Sequence, residues 1–331
     1  MTSISRGRRA VLKSGAAASL ALLAPQFARA QEFPSRPVRL VTAFPPGSGP
    51  DAALRLVADG LSKLWKQQVI VENKPGGAGF IAIDAFRQGA PDGHVMVQLD
   101  SNHLTTHPHT YAKLPYDPQR DLEPVRALLR NYFFVVVSAS SPIQTVEDLV
   151  AAAKKAPGRL TYGSWFVGSP GHLAGLLLQS QRDIEMTHVP YKEMTQLYAA
   201  VASKEVDWAV GSAGSAGPLV KAGRLRFVAF AAPQRLETYP QVPATAETPA
   251  SRAYEVSAWT GLFAPRGTPL ALRNRIAADV SRVLAAPEAV ERYREWGYNP
   301  FDVATDAYAQ LIARETTSWG GLIRKAGLRL D

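Results

Sequence analysis

The chain contains no cysteine. That excludes disulfides, thiolate metal sites, a cysteine nucleophile and a lipoprotein anchor. Histidine is scarce, at six residues. His103, His107 and His109 fall close together, but no H-E-x-x-H accompanies them, and Pro108 interrupts the helix that i, i+4 ligation would use. No metal is expected. No G-x-S-x-G nucleophile elbow occurs, so a serine hydrolase is not expected. Long basic runs are missing as well. Beyond residue 30 no lysine or arginine block exceeds two, so nucleic acid is not an expected partner.

Acids are absent from residues 1–30, which carry Arg6, Arg8, Arg9, Lys13 and Arg29. An apolar stretch follows from about Gly15, and Ala28-Arg29-Ala30 is a small-x-small cleavage site. This reads as an export signal cleaved near Ala30-Gln31 and too short to span a membrane. Arg8-Arg9-Ala10-Val11-Leu12-Lys13 resembles the twin-arginine pattern, and a Sec-type signal is the alternative. Five of the chain's 37 cations sit in this segment. Without them 32 cations face 28 acids, and a net charge of +9 becomes +4. The expected product is a mildly basic, soluble periplasmic protein.

What the sequence does have is a series of small-residue loops between strands and helices. The first is Phe44-Pro-Pro-Gly-Ser-Gly-Pro-Asp51, after an apolar run at 38–44 and before an alanine- and leucine-rich helix. The second is Pro75-Gly-Gly-Ala-Gly79, after a strand at 69–71. The third is Gly163-Ser-Trp-Phe-Val-Gly-Ser-Pro-Gly171, and the fourth is Gly211-Ser-Ala-Gly-Ser215. In open α/β sheets such loops lie at the carboxyl ends of strands, where ligands bind. Backbone N–H groups and hydroxyls at helix starts suit an anion, and without an obligate cation they suit a carboxylate.

The periodicity predicts βαβαβ over the first hundred residues and hence a parallel sheet. Residues 100–124 are polar and read as irregular, whereas 132–138 form the longest β-like run. Residues 145–155 read as a helix capped by Thr145 with Asp148 at its third position. A second α/β unit follows, then a proline-rich connection at 233–249, a strand at 255–264 and three final helices, the last capped by Thr305. The predicted fold class is α/β: two units joined by two crossing segments suggest a two-lobed clamshell, each lobe a mixed sheet flanked by helices. Lobe 1 is expected to hold 31–132 and 257–331, and lobe 2 133–256, with crossings near 131–137 and 255–264.

One alternative has a motif behind it. Gly47-Ser-Gly49-Pro-Asp-Ala52 fits G-x-G-x-x-A after a strand, and Glu72 ends the next strand, so an NAD(P)-dependent oxidoreductase is the second reading. Pro45-Pro46 stiffens the turn where a pyrophosphate would lie and weighs against it.

Taken together, the ordered motifs carry a family resemblance. Phe44-Pro-Pro-Gly-Ser-Gly-Pro-Asp51 is similar to F-P-P-G-G-x-x-D, and Val71-Glu-Asn-Lys-Pro-Gly-Gly-Ala-Gly79 to V-E-N-R-P-G-A-G-G. Tyr111-Ala-Lys-Leu-Pro-Tyr-Asp117, His188-Val-Pro-Tyr-Lys192 and Trp259-Thr-Gly-Leu-Phe-Ala-Pro-Arg-Gly-Thr-Pro269 add to the match, which spans essentially all of 34–331. The chain resembles the substrate-binding proteins of tripartite tricarboxylate transporters, the Bug (TctC-type) family.

The resemblance implies a two-lobed, type II-like periplasmic-binding-protein fold and a non-enzymatic receptor, monomeric and without a cofactor. It would capture a small organic acid, a mono- or dicarboxylate, for the membrane permease subunits of such a transporter or for a sensor. It carries over Phe44, Ser48 and Asp51 from the first loop, and Ser164, Gly168 and Ser169 from the third, with Tyr191 lining the cleft. Ser212 of the fourth loop joins the expected set. The sequence departs from the family where Trp165, Phe166 and Val167 replace small residues. Either Trp165 or Phe166 stacks on an aromatic acid, or both rings pack beneath the loop and the ligand is an ordinary small acid.

Overall fold

The computed structural model describes residues 33–330. The expected signal and its cleavage site lie outside them. Residues 36–330 cluster as one compact unit, built on two mixed sheets.

The first sheet has the strand order β11-β4-β10-β3-β1-β2. Here β1 (Val38–Thr42) pairs in parallel with β2 (Val69–Asn73) and β3 (Val95–Asp100). Antiparallel to these runs β10 (Ser257–Pro265), which joins β3 to β4 (Leu122–Tyr132), and β11 (Asn299–Pro300) closes the edge. The second sheet is ordered β7-β6-β8-β5-β9. In it β6 (Thr161–Ser164) lies parallel to β7 (Thr187–Pro190) and β8 (Trp208–Gly211). Against β8 and β9 (Leu225–Phe230) runs the antiparallel β5 (Phe134–Ser138).

Strand β5 shows why the second sheet is buried on both sides. Alternate residues of a strand face opposite ways. Val135 and Val137 enter a core with Tyr162, Trp208 and Tyr254. Phe134 and Val136 enter another with Leu197, Tyr198 and Phe227. The first sheet is covered by a core that includes Val97, Trp259, Phe263 and Tyr308. Tyr308 belongs to the long C-terminal helix Thr305–Ala326.

The chain passes from one sheet to the other twice. Phe133 is the single residue between β4 and β5, and residues 231–256 lead back to β10. The two passages are bonded together. Phe133 N–H donates to Val256 at 3.1 Å, Ala231 N–H donates to Phe133 at 2.9 Å, and Val256 N–H donates to Ala231 at 3.0 Å. A second link is apolar. Leu173 of the helix Pro170–Arg182 packs with Ile323 and Leu328 at the end of the chain, with Val167, Leu176 and Trp319 around them.

Several expectations change. The stretch 100–124, expected to be irregular, contains three short helices, Ser101–Thr105, His107–Thr110 and Pro118–Asp121. Asp100 and Asp117 cap the first and third through their side chains. Residues 122–132, of which the sequence assigned only Tyr132 to a strand, form the longest strand. Its buried Arg126 pairs with Asp302 at 2.8 Å, and Arg130 pairs with Glu315 and lies 3.8 Å over the Phe301 ring. The run at 132–138 is divided between β4 and β5 on different sheets. Thr145 and Asp148 form the expected capping box. Thr305 does not cap the last helix: it is the first helical residue, Ala304 holds the cap position, and no side chain bonds there.

Candidate functional site

A cavity of about 570 Å³ lies between loops of the two sheets. Ala43 and Phe44 after β1, and Gly76, Ala78 and Gly79 after β2, form part of its wall. Phe166, Val167 and Gly168 after β6 enter from the second sheet. Asp100 with the short helices that follow β3 supplies the polar wall, and Leu330 reaches it from the C-terminus. All these loops leave the carboxyl ends of parallel strands, where helix starts and turns leave N–H groups free for a ligand.

Sequence-expected residues occupy three kinds of place. Phe44, Phe166 and Gly168 line the cavity. Phe166 is half exposed, whereas Trp165 packs beneath the loop, its ring 5.8 Å from Phe133 and close to Gly171. Ser48, Ser169 and Ser212 are helix N-caps whose hydroxyls accept from Asp51, His172 and Ser215 N–H groups. Asp51, Ser164 and Tyr191 hold the loops from below.

Asp51 is 1% exposed. Its carboxylate accepts from Gly47 N–H at 2.8 Å, Arg55 Nε at 3.0 Å and Asn73 Nδ2 at 2.7 Å. Burial pushes its pKa up, but the hydrogen bonds from Arg55, Asn73 and Gly47 together hold it below the usual range. Asp51 therefore fastens the first loop to its own helix and to β2. Asn73 completes the tie by donating to Phe44 O at 3.0 Å.

The third loop rests on two histidines. Ser164 Oγ lies 2.8 Å from His188 Nε2 and donates to Phe166 O at 2.9 Å. Gly168 N–H donates to His172 Nδ1 at 3.0 Å, which fixes that nitrogen as an acceptor. Burial pulls the pKa of His172 down to about 3, with the neighbouring His188 adding to the effect, and burial alone pulls His188 to about 4. Tyr191 N–H donates to Ser164 O at 2.8 Å and its ring joins the core under β5.

Sequence reasoning did not reach the polar wall. His103 Nδ1 meets Asp100 Oδ1 at 2.8 Å, and the His103 and His107 rings lie 5.0 Å apart. For His103, burial opposes the charge, but the Asp100 carboxylate outweighs it and raises the pKa. For Asp100, burial is likewise outweighed, by the charge and hydrogen bond of His103, and the pKa falls. His107 is pulled to about 3 by burial and by the nearby His103 charge. His109 turns away to the Thr316 carbonyl at 3.0 Å. The available signal was Asp100 itself, an N-cap residue directly after an apolar strand.

Comparison with known proteins now identifies the kin. A sequence profile described as the tripartite tricarboxylate transporter family receptor, TctC, matches residues 53–328. The chain belongs to this family. The UPF0065 protein in the tcbD-tcbE intergenic region of Pseudomonas sp. (strain P51) is 33% identical over 317 residues, which cover 96% of this chain and 94% of that protein. Among solved structures, R. palustris Rpa4515 with adipate is 28% identical, with a TM-score of 0.76 over 90% of this chain and all of that one. MatC (Rpa3494) from Rhodopseudomonas palustris with bound malate is 27% identical, with a TM-score of 0.71 over 88% of this chain and all of that one. The TctC receptors are solute-binding proteins, and the two-lobed α/β fold is shared with them.

The oxidoreductase alternative gains no support from these comparisons, and the motif that suggested it has another explanation. Gly47 N–H is already bound to Asp51. Gly49 is small because a Cβ there would come within 1.7 Å of Tyr298 Oη. Glu72 is held by Arg39 and Lys74. Among the described residues no helix is long and apolar enough to cross a membrane.

Proposed function

We propose that this receptor is exported to the periplasm, captures a small organic carboxylate in the cavity between its lobes, and presents it to the permease subunits of a tripartite tricarboxylate transporter. The observation that carries the reading is the 570 Å³ cavity walled by strand-end loops from both sheets. Support comes from the neighbours solved with adipate and with bound malate. The size suits a small ligand, and a ligand touching both lobes at once is what favours a closed form.

In this reading the chain performs no catalysis and acts as a monomer. Lobe 1 comprises 31–132 and 257–331, and lobe 2 133–256. Phe44, Phe166 and Gly168 meet the ligand. Asp51, Ser164, Ser169 and Tyr191 hold the loops that do so, and Ser48 and Ser212 start the adjoining helices. Between the two rings, Phe166 is the candidate for stacking on an aromatic acid: it lines the cavity, whereas Trp165 packs against Phe133.

A thermal-shift screen against aliphatic and aromatic carboxylates tests the reading. A true ligand at 100 times its Kd stabilises the fold by about 2.7 kcal/mol. Failure of every carboxylate to raise the melting temperature would remove the proposal. Cell fractionation tests the location, with the mature chain expected in the periplasmic fraction.

A further inference from the structure

We infer that the wall of the cavity formed by Asp100, Thr106, His107 and Thr110 is a hydrogen-bond acceptor subsite, and that it selects carboxylates bearing an ammonium or other donor group over dicarboxylates. The inference rests on the receptor reading and specifies the ligand class.

The argument is an accounting of protons. Asp100 Oδ1 accepts from Asn102 N–H at 2.9 Å and from His103 N–H and Nδ1 at 3.4 and 2.8 Å. Its Oδ2 takes no hydrogen bond from the described residues, although Asp100 lines the cavity and its side chain is 27% exposed. Each threonine hydroxyl has one proton. Thr106 gives its proton to Asn102 O, and Thr110 gives its to Thr106 O, each at 3.2 Å. Only lone pairs remain on those two oxygens.

His107 follows from Tyr116. Tyr116 donates its only proton to His103 O at 2.6 Å, so at its 3.4 Å contact with His107 Nδ1 it must accept. The proton of a neutral His107 is thereby assigned to Nδ1, leaving Nε2 with a lone pair. The depressed pKa of His107 agrees with a neutral ring.

The cation that balances Asp100, His103, also lines the cavity, but its remaining nitrogen is buried and turned away from solvent. His103 binds Oδ1, and its Nε2 edge lies against Gly79, where a Cβ would come within 1.9 Å. No lysine or arginine lines the cavity among the described residues. Asn102 brings the wall one amide, which both donates and accepts.

The neighbouring loops of the cavity offer the opposite character. The N–H groups of Gly76, Ala78, Phe166 and Val167 bind no acceptor among the described residues. A carboxylate finds donors there, and an ammonium with three N–H groups finds acceptors on the polar wall. A second carboxylate at that wall would face lone pairs and the Asp100 charge, which costs affinity.

Titration calorimetry on the full chain tests this with probes matched in length: 4-aminobutanoate against succinate, 6-aminohexanoate against adipate, and 4-(aminomethyl)benzoate against terephthalate. In the pair that fits the cavity the amino acid should bind at least tenfold more tightly, and Asp100→Asn should reduce that advantage to within threefold. Tighter binding of the dicarboxylate, or an advantage unchanged in Asp100→Asn, overturns the inference while leaving the receptor reading intact. The wild-type comparison stands alone if the variant folds poorly. Binding of none of the six probes, nor of any acid in the thermal screen, removes both.

Discussion

His172 and His188 stack face to face beneath the third loop, with ring centroids 3.8 Å apart and planes within 9° of parallel. Two imidazoles at that distance cannot both be charged without strong repulsion. Their neutrality is part of the architecture, since His172 must accept from Gly168 to hold the loop.

Stability should therefore fall as pH drops from about 6.5. Unfolded histidines gain protons near their ordinary pKa, whereas His172 and His188 resist until about 3 and 4. More protons are then bound by the unfolded state, so acid favours unfolding across that window. At pH 5 the loss is about 2 kcal/mol per residue, from 1.36 kcal/mol per pKa unit. His107, also pulled to about 3, adds to this loss, whereas His103 works in the opposite sense. Its raised pKa stabilises the fold below 6.5, and that contribution is lost as pH rises through its folded value. Urea melts at pH 7 and 5 measure the sum, and His172→Gln isolates the stacked pair by flattening the slope. An unchanged slope in that variant would contradict the assignment.

Asp51→Ala should destabilise the protein by about 2–3 kcal/mol, because three donors lose their acceptor in a nearly buried site. Ligand affinity should fall with it, as Gly47 and Asn73 release the first loop. Denaturant melts and calorimetry read the two effects separately.

Trp165 and Phe166 should separate cleanly. Trp165→Ala opens space beside Phe133 and should cost about 2–3 kcal/mol, less than full burial would give. Phe166→Ala removes an exposed ring and should change stability by about 0.5 kcal/mol or less, with its effect on ligand affinity. The opposite pattern would reverse their roles.

Gly49→Ala should be strongly destabilising, because the new methyl would collide with the Tyr298 ring and hydroxyl. Tyr298→Leu should relieve much of that cost, so the double variant should melt above Gly49→Ala alone. Purely additive losses would show that the glycine serves some other need.

These residues show why the sequence was readable in some places and opaque in others. The glycine- and serine-rich loops were legible because tight turns and helix caps demand particular residue types, and those residues stand at strand ends. Function was less legible within them, because Ser48, Ser169 and Ser212 are also what any helix start prefers. Strand β4 was hidden because Arg126 and Arg130 break its apolar pattern, and only the fold supplies Asp302, Glu315 and Phe301 as their partners. The polar wall was hidden for a related reason. Its helices are one turn long, too short for a 3.6-residue periodicity to register.

The apolar clasp of Leu173 with Ile323 and Leu328 bears on how the receptor rests between ligands. Separating the lobes would wet these side chains, so the clasp adds to whatever a bound ligand contributes toward holding them together. A receptor biased in this way would surrender less of its intrinsic affinity to conformational change, because a larger fraction of its molecules would hold the binding-competent shape. The cost moves to signalling. If the empty and loaded forms looked alike from outside, the proposed membrane partner would have to tell them apart by something subtler than whether the jaws are closed.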